Sequence, residues 1–362
     1  MRFVSPLLKR ALYPLLAGTG YFRWRACRGE LCVVTYHGVL PSGYQSKDPA
    51  LDGSLVTAES LRRQLRLLKS SYNVVSAEDV FQWLERNQKL PARAVLLTCD
   101  DGLQNTLTDM VPVLREEGLS CLFFVTGASA SDHSQMLWYE ELYLVLMAAP
   151  SGDLIFPDLN LTGRLEASSE GRRPLWWSWV KELSRYDALC RTTFLDALRI
   201  RCGLPDNWQS AYRHEAVRRR FFLLTVEELR QLAASGMFVG AHTLSHPMLS
   251  QTSADLAWNE IAESRKALEA ALGKPVWAIA YPFGDPESAG VREFEMTERA
   301  GYKCAFLNFG GGFPASIPRF AIPRVHVTSD MTLGEFEAHI SGFYNALRRR
   351  FRPRYSGSGA SA

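Results

Sequence analysis

Two aspartates stand side by side where an apolar run ends, in AVLLTCDDG at 94–102. Two histidines follow another short apolar run, four residues apart, in VGAHTLSH at 239–246. A third, His326, closes the run AIPRVH at 321–326, and an aromatic turn, AYPFG at 280–284, ends a fourth. Asp-Asp-Gly is in most settings a turn or a helix cap. Crowded carboxylates repel unless a cation relieves them, however, and two imidazoles at this spacing can reach one ion. The aspartate pair and the histidine pair therefore explain each other: one carboxylate and two imidazoles hold a divalent metal, and the second carboxylate is left as a base. Pro247 follows His246 and disfavours helix there, so the pair belongs to a loop behind a strand and not to a helical zinc motif.

The segments around these residues alternate. LCVVTY (31–36), AVLLTC, SCLFFVTG (120–127) and MFVGAH (237–242) read as buried strands, as do the runs ending in AYPFG, YKCAFLN (302–308) and FAIPRVHV (320–327). Between them lie helical patterns at about 59–71, 77–87, 106–118, 225–236, 253–273 and 293–300, with a last helix over 332–349. A βα rhythm of this kind predicts a parallel sheet, and parallel α/β folds build their sites at the carboxyl ends of the strands. Asp100, Asp101, His242, His246 and His326 would then meet from separate parts of the chain. Between about 131 and 224 the rhythm stops. That stretch, rich in arginine and leucine and carrying Trp176, Trp177 and Trp179, is expected to be a mainly helical insertion at the mouth of the site, its tryptophans either a sugar-stacking lid or the insertion's core.

Composition narrows the function. With 362 residues, 47% hydrophobic and 22% charged, the chain has material for a large core, and a net charge of +3 does not point to nucleic acid. Seven cysteines without CxxC spacing argue against a disulfide framework or a cysteine zinc site and favour buried thiols in a reducing compartment. No run of 18 apolar residues is present. Residues 1–30 are basic and amphipathic, but Lys9, Arg10 and Pro14 break the apolar run, so no cleavable signal peptide is expected.

On TCDDG (98–102) and HTLSH (242–246), with YPFG (281–284), RVH (324–326) and the lead-in YHGV (36–39), the chain resembles the polysaccharide deacetylases, carbohydrate esterase family four, which share the NodB homology domain. The resemblance covers roughly 31–130 and 225–345, and Cys99 stands where phenylalanine is usual. It implies a distorted (β/α) barrel with fewer than eight regular strands over 31–345, interrupted by the insertion at 131–224 and flanked by segment 1–30 and a basic, disordered tail at 346–362. It implies that Asp101, His242 and His246 bind one divalent ion, zinc being expected, and that Asp100 is the general base toward water. The Phe283 N–H would help hold the oxyanion, and His326 would protonate the leaving amine. Ala280 occupies the position where the family often carries an arginine that orients the base, which leaves that role to another residue such as Arg324. His37 is either a support of the site or structural.

The expected activity is hydrolysis of an N-acyl group, above all N-acetyl, from a sugar of a polysaccharide or glycolipid of the bacterial cell envelope. The alternatives are deformylation or deacetylation of a lipid-linked sugar and a non-catalytic glycan-binding domain on the same scaffold; intact Asp100 beside the metal set argues against the last. Basic residues at both ends suggest peripheral docking on an anionic membrane, and the expected location is cytoplasmic or at the inner membrane, with the cell envelope as the alternative.

Overall fold

A computed structural model describes residues 6–26, 30–46, 48–133, 135–205, 207–314 and 317–351. Ten strands occur among them: β1 (Leu31–Tyr36), β2 (Asn73–Val75), β3 (Ala94–Cys99), β4 (Leu122–Val125), β5 (Gly152–Phe156), β6 (Leu161–Leu165), β7 (Phe238–Ala241), β8 (Ala278–Ala280), β9 (Cys304–Gly310) and β10 (Ile322–His326). Seven run parallel in the order β1-β10-β9-β8-β7-β4-β3, and β3 pairs back with β1, so the sheet closes into a barrel. β2 lies along the first half of β3, with Asn73 beside Ala94, while β4 takes the second half, with Cys99 beside Phe123. The likeness to a (β/α) barrel read from the motifs is thus the observed architecture.

β1, β3, β4 and β8 are buried along their whole length, and alternate residues of the barrel strands go to different cores. Leu31 and Val33, Ala94 and Leu96, Ala278 and Ala280, and Cys304 and Phe306 belong to the barrel interior. Cys32 and Val34, Val95 and Leu97, Ile279, and Ala305 pack outward under the helices. The interior is narrow. A Cβ on Gly240 would sit 2.6 Å from the Phe124 ring, so β7 can pass that ring only as glycine. Cys99 falls on the outward parity, buried in the helix layer, so the departure from phenylalanine lies away from the site.

Local rules account for the helices. Thr57 and Ser253 cap the helices Ala58–Ser71 and Ala254–Leu272 through their side chains, and Ser76/Asp79 and Thr225/Glu228 form capping boxes. Three expectations are corrected. The pattern at 106–118 is a π-turn, Thr106–Met110, running into the α-helix Val111–Glu116, because Pro112 has no N–H for the regular ladder and the Val111 N–H reaches back to Thr106. The final helix breaks into Leu333–Ile340 and Phe343–Phe351 at Gly342 (φ +70), where a Cβ on Gly312 would lie 2.8 Å from the Gly342 Cα. That last helix also enters the stretch expected to be disordered; residues 352–362 lie outside the described ones.

Between β4 and β7 the chain builds a second core from Leu142, Leu146, Leu161, Trp179, Leu183, Phe194 and Leu198. Its helices are Trp138–Ala148, Ser169–Leu183 and Ala188–Arg201, and it includes an antiparallel hairpin, β5–β6, that the reading of a mainly helical insertion did not foresee. At the start of the chain the helices Pro6–Gly18 and Tyr21–Ala26 pack on the end of the chain: Tyr13 and Phe22 are buried with Ala338 against Phe343 and Tyr344. Among the described residues no helix is long and apolar enough to cross a membrane. Cys32, Cys99, Cys121, Cys202 and Cys304 are buried free thiols; Cys190 is partly buried, and Cys27 lies outside the described residues.

Candidate metal centre and active site

Strand parity delivers the site. Continuing the inward alternation past each strand end brings Asp100 from β3, His242 from β7, and Arg324 and His326 on β10 to the same mouth of the barrel. The Asp101 Oδ1 atom lies 3.5 Å from His242 Nε2 and 3.3 Å from His246 Nε2. The edge of a tetrahedron of ligands drawn at zinc distances is about 3.4 Å, so the three donors are spaced for one ion. Among the described residues they form the one cluster of its kind, and all three are buried.

Two further details fit a metal. His242 Nδ1 lies 2.7 Å from the Ala280 carbonyl, which makes Nδ1 the donor and leaves the Nε2 lone pair toward Asp101. Ala280, which offers no arginine, contributes through its backbone. Burial by itself raises the Asp101 carboxyl, but the two imidazoles outweigh it and hold the group well below the usual carboxylate range. Burial depresses His246, which Asp101 partly offsets. Both effects favour the charge states a cation needs, an ionised carboxylate and neutral rings.

Asp100 faces a different neighbour. Arg324 grips it with two hydrogen bonds, Nη1 to Oδ1 at 2.7 Å and Nη2 to Oδ2 at 2.5 Å, with both side chains out of solvent. The guanidinium is itself held by the Leu307 carbonyl and the Thr98 hydroxyl, and it lies over the Phe124 and Phe306 rings. A register shift between Pro323 and Arg324 marks an irregularity in β10 beside the site. Arg324, the alternative considered for the arginine absent at position 280, is thus the residue that pairs with Asp100. Burial pushes Asp100 up, but Arg324 and His242 overcome it, so the carboxyl is ionised.

His326 is stacked on His37, with ring centroids 4.7 Å apart. Its Nδ1 meets the Asn308 amide at 3.2 Å, and its Nε2 is buried without a partner among the described residues. Burial first and His37 second drive its pKa down to about 3, so the ring is neutral at neutral pH. Phe283 turns at φ +62 in the loop after β8, its ring 4.9 Å from that of His246. Asp101, Thr243 and His246 also have left-handed φ, so backbone strain gathers at the loops of this site. His133 and His214 are exposed elsewhere.

Some residues of the cleft escaped the sequence reading. Tyr139 and Glu140 come from the insertion and Arg220 from the segment that returns to the barrel; with His37, Leu51, Leu55, Asp101, Leu103 and Trp176 they line it. Arg220 pairs with Asp52 at 2.6 Å and Glu140 at 2.9 Å, all three buried. Segments so distant carry no spacing signal. The tryptophan cluster divides: Trp179 is insertion core, while Trp176 lines the cleft.

Known proteins were compared with this chain. The family model described as Polysaccharide deacetylase matches residues 87–150 and 206–305, which include TCDDG and HTLSH and skip most of the insertion. Over these residues, just under half of its length, the chain is similar to the polysaccharide deacetylase family. YxkH of Bacillus subtilis (strain 168), whose name marks it as a candidate polysaccharide deacetylase, is 24% identical over 151 residues, covering 38% of this chain and 53% of that one. The match therefore spans about half the length of this relative. The deacetylase PplD of Streptococcus pyogenes, solved with acetate, superposes with a TM-score of 0.53 at 17% identity, over 86% of this chain and 97% of that one. IcaB from Ammonifex degensii gives 0.52 at 18% identity over the same shares. At these identities the solved structures speak for the shared fold.

Proposed function

We propose that this protein is a member of the polysaccharide deacetylase family and a metal-dependent hydrolase that removes an N-acyl group, above all N-acetyl, from an amino sugar. The observation that carries the reading is the division of labour between neighbours: Asp101 faces two imidazoles, and Asp100, one residue earlier, faces an arginine. A glycan-binding module has no use for an ionised carboxylate held bidentate beside a metal set.

Asp101, His242 and His246 would hold the ion, zinc by its donor set, although other divalent ions accept the same ligands. When bound, it polarises the acyl carbonyl and acidifies water. Asp100 accepts the proton from the attacking water, and Arg324 fixes the carboxylate for that task. His326, neutral at rest, can donate to the amine only a proton received within the cycle; Asp100 is its source. The Phe283 N–H donates toward the acyl oxygen.

The cleft walls also favour one substrate form. Leu51, Leu55, Leu103, Tyr139 and Trp176 enclose the approach to Asp101, which suits a single sugar ring, as at a chain end or on a lipid carrier. The test is to load the protein with zinc and measure acetate, formate and new amine from polymeric, oligomeric and lipid-linked N-acyl sugars. Release from at least one, abolished by chelation, is expected; no release from any would remove the hydrolase reading.

For location, we propose peripheral contact with an anionic membrane, cytoplasmic or at the inner membrane, supported by the basic ends of the sequence and by the packing of the first helices on the last ones. Co-sedimentation with anionic vesicles at low salt is the check, and absence of binding there would end it.

A further inference from the structure

The insertion is not merely a wall. Its first helix begins at Trp138, and its opening residues are fastened to the metal loop. Trp138 Nε1 donates to the His246 carbonyl at 2.9 Å, and Trp176 Nε1 donates to the Tyr139 carbonyl at 2.8 Å. Glu140 is locked by Arg220, which also grips Asp52 in the segment after β1. Tyr139 is therefore held from several sides. Its ring lies 4.9 Å from the His246 imidazole and 5.5 Å from the Phe283 ring, and it lines the cleft together with Asp101.

We propose that the Tyr139 hydroxyl hydrogen-bonds the substrate's acyl oxygen as that oxygen takes on charge, so that the insertion supplies a catalytic residue from outside the family's motifs. The inference rests on the hydrolase reading. As water oxygen bonds to the acyl carbon, the carbonyl π pair moves onto its oxygen. Tyr139 donates a hydrogen bond there and keeps its proton, and the pair returns when the C–N bond breaks. Donors placed where charge develops, in a site that excludes water, are among the strongest catalytic effects. A phenol with its ordinary pKa of about 10 carries its proton at neutral pH and can donate it in a hydrogen bond. The Phe283 N–H would offer a donor from the turn after β8; Tyr139 brings one from the insertion, beside the same imidazole.

The test is Tyr139→Phe, which retains the ring and its packing and deletes only the hydroxyl. Zinc-loaded wild type, Tyr139→Phe and Asp100→Asn are compared on a substrate that wild type turns over. Tyr139→Phe is expected to keep its metal, lose about 10²-fold in kcat with KM nearly unchanged, and bind methylphosphonate, a tetrahedral anion, about tenfold more weakly by calorimetry. Wild-type kcat and methylphosphonate affinity in Tyr139→Phe would overturn the inference alone. Loss of metal in Tyr139→Phe would also overturn it, since the phenol would then be a prop of the ligands. Absence of turnover by wild type on every substrate would instead remove the hydrolase reading beneath it.

Discussion

Asp100 and Arg324 form the contact on which the chemistry turns. The pair is fully buried, so neither member can be deleted without exposing the other to a cost. Removing one partner of such a pair costs about 3–5 kcal/mol, because an uncompensated charge remains. Arg324→Met is thus expected to lower the melting temperature sharply and to abolish turnover. Arg324→Met combined with Asp100→Asn should regain much of the stability and none of the activity. Calorimetric melting of the three variants checks this; a double variant no more stable than Arg324→Met would mean that Arg324 acts by packing against Phe124 and Phe306 and not by its charge. At this scale the sequence was legible where residue type carries the chemistry. TCDDG and HTLSH named four positions, Asp100, Asp101, His242 and His246, that now stand together. Arg324 could be named only as an option, because nothing in RVH says that its guanidinium points across the barrel. Tyr139 and Arg220 were invisible, since an ordinary tyrosine and an ordinary arginine become site residues only through tertiary packing.

At the level of elements, the turns after the strands do the positioning. The β8 turn is a case where backbone leaves no slack. Gly284 has φ +64, and a Cβ there would stand 2.4 Å from the Asn308 backbone nitrogen. The Gly284 carbonyl also accepts from that same N–H, at 2.8 Å. Gly284→Ala must therefore displace Phe283, the Asn308 amide that meets His326, or both. Its expected signature is a loss of kcat of at least about tenfold with metal content unchanged, because Asp101, His242 and His246 sit on other turns. Normal turnover in Gly284→Ala would show that this turn takes no part in catalysis. The elements were read well where periodicity and caps agree: Ser76 and Asp79 announce the helix Ala77–Arg86, and Gly273 the end of the helix Ala254–Leu272. They were misread where tertiary contact decides. Gly342 breaks the last helix to admit Gly312, and β5–β6 forms a hairpin whose Leu154, Leu161 and Leu165 feed the insertion core while Asp153, Ile155, Thr162 and Arg164 face solvent.

Across the whole molecule, one principle connects the parts. Seven parallel strands enclose an interior too narrow for more than side chains such as Phe124 and Phe306, and the chemistry is carried on the layer directly above them. The barrel sets the ligands, and the insertion, with a core of its own, closes the approach. This order follows from strand parity, which is why the barrel could be read from the sequence and the cleft walls could not. The central claim is that three strand-end side chains hold one divalent ion while Asp100, their neighbour, holds none. Metal content per chain, measured by inductively coupled plasma mass spectrometry after zinc loading and desalting, tests it directly. Wild type and Asp100→Asn should each carry about one equivalent, and His246→Ala almost none. Wild type without bound metal, or His246→Ala with a full equivalent, would contradict the account.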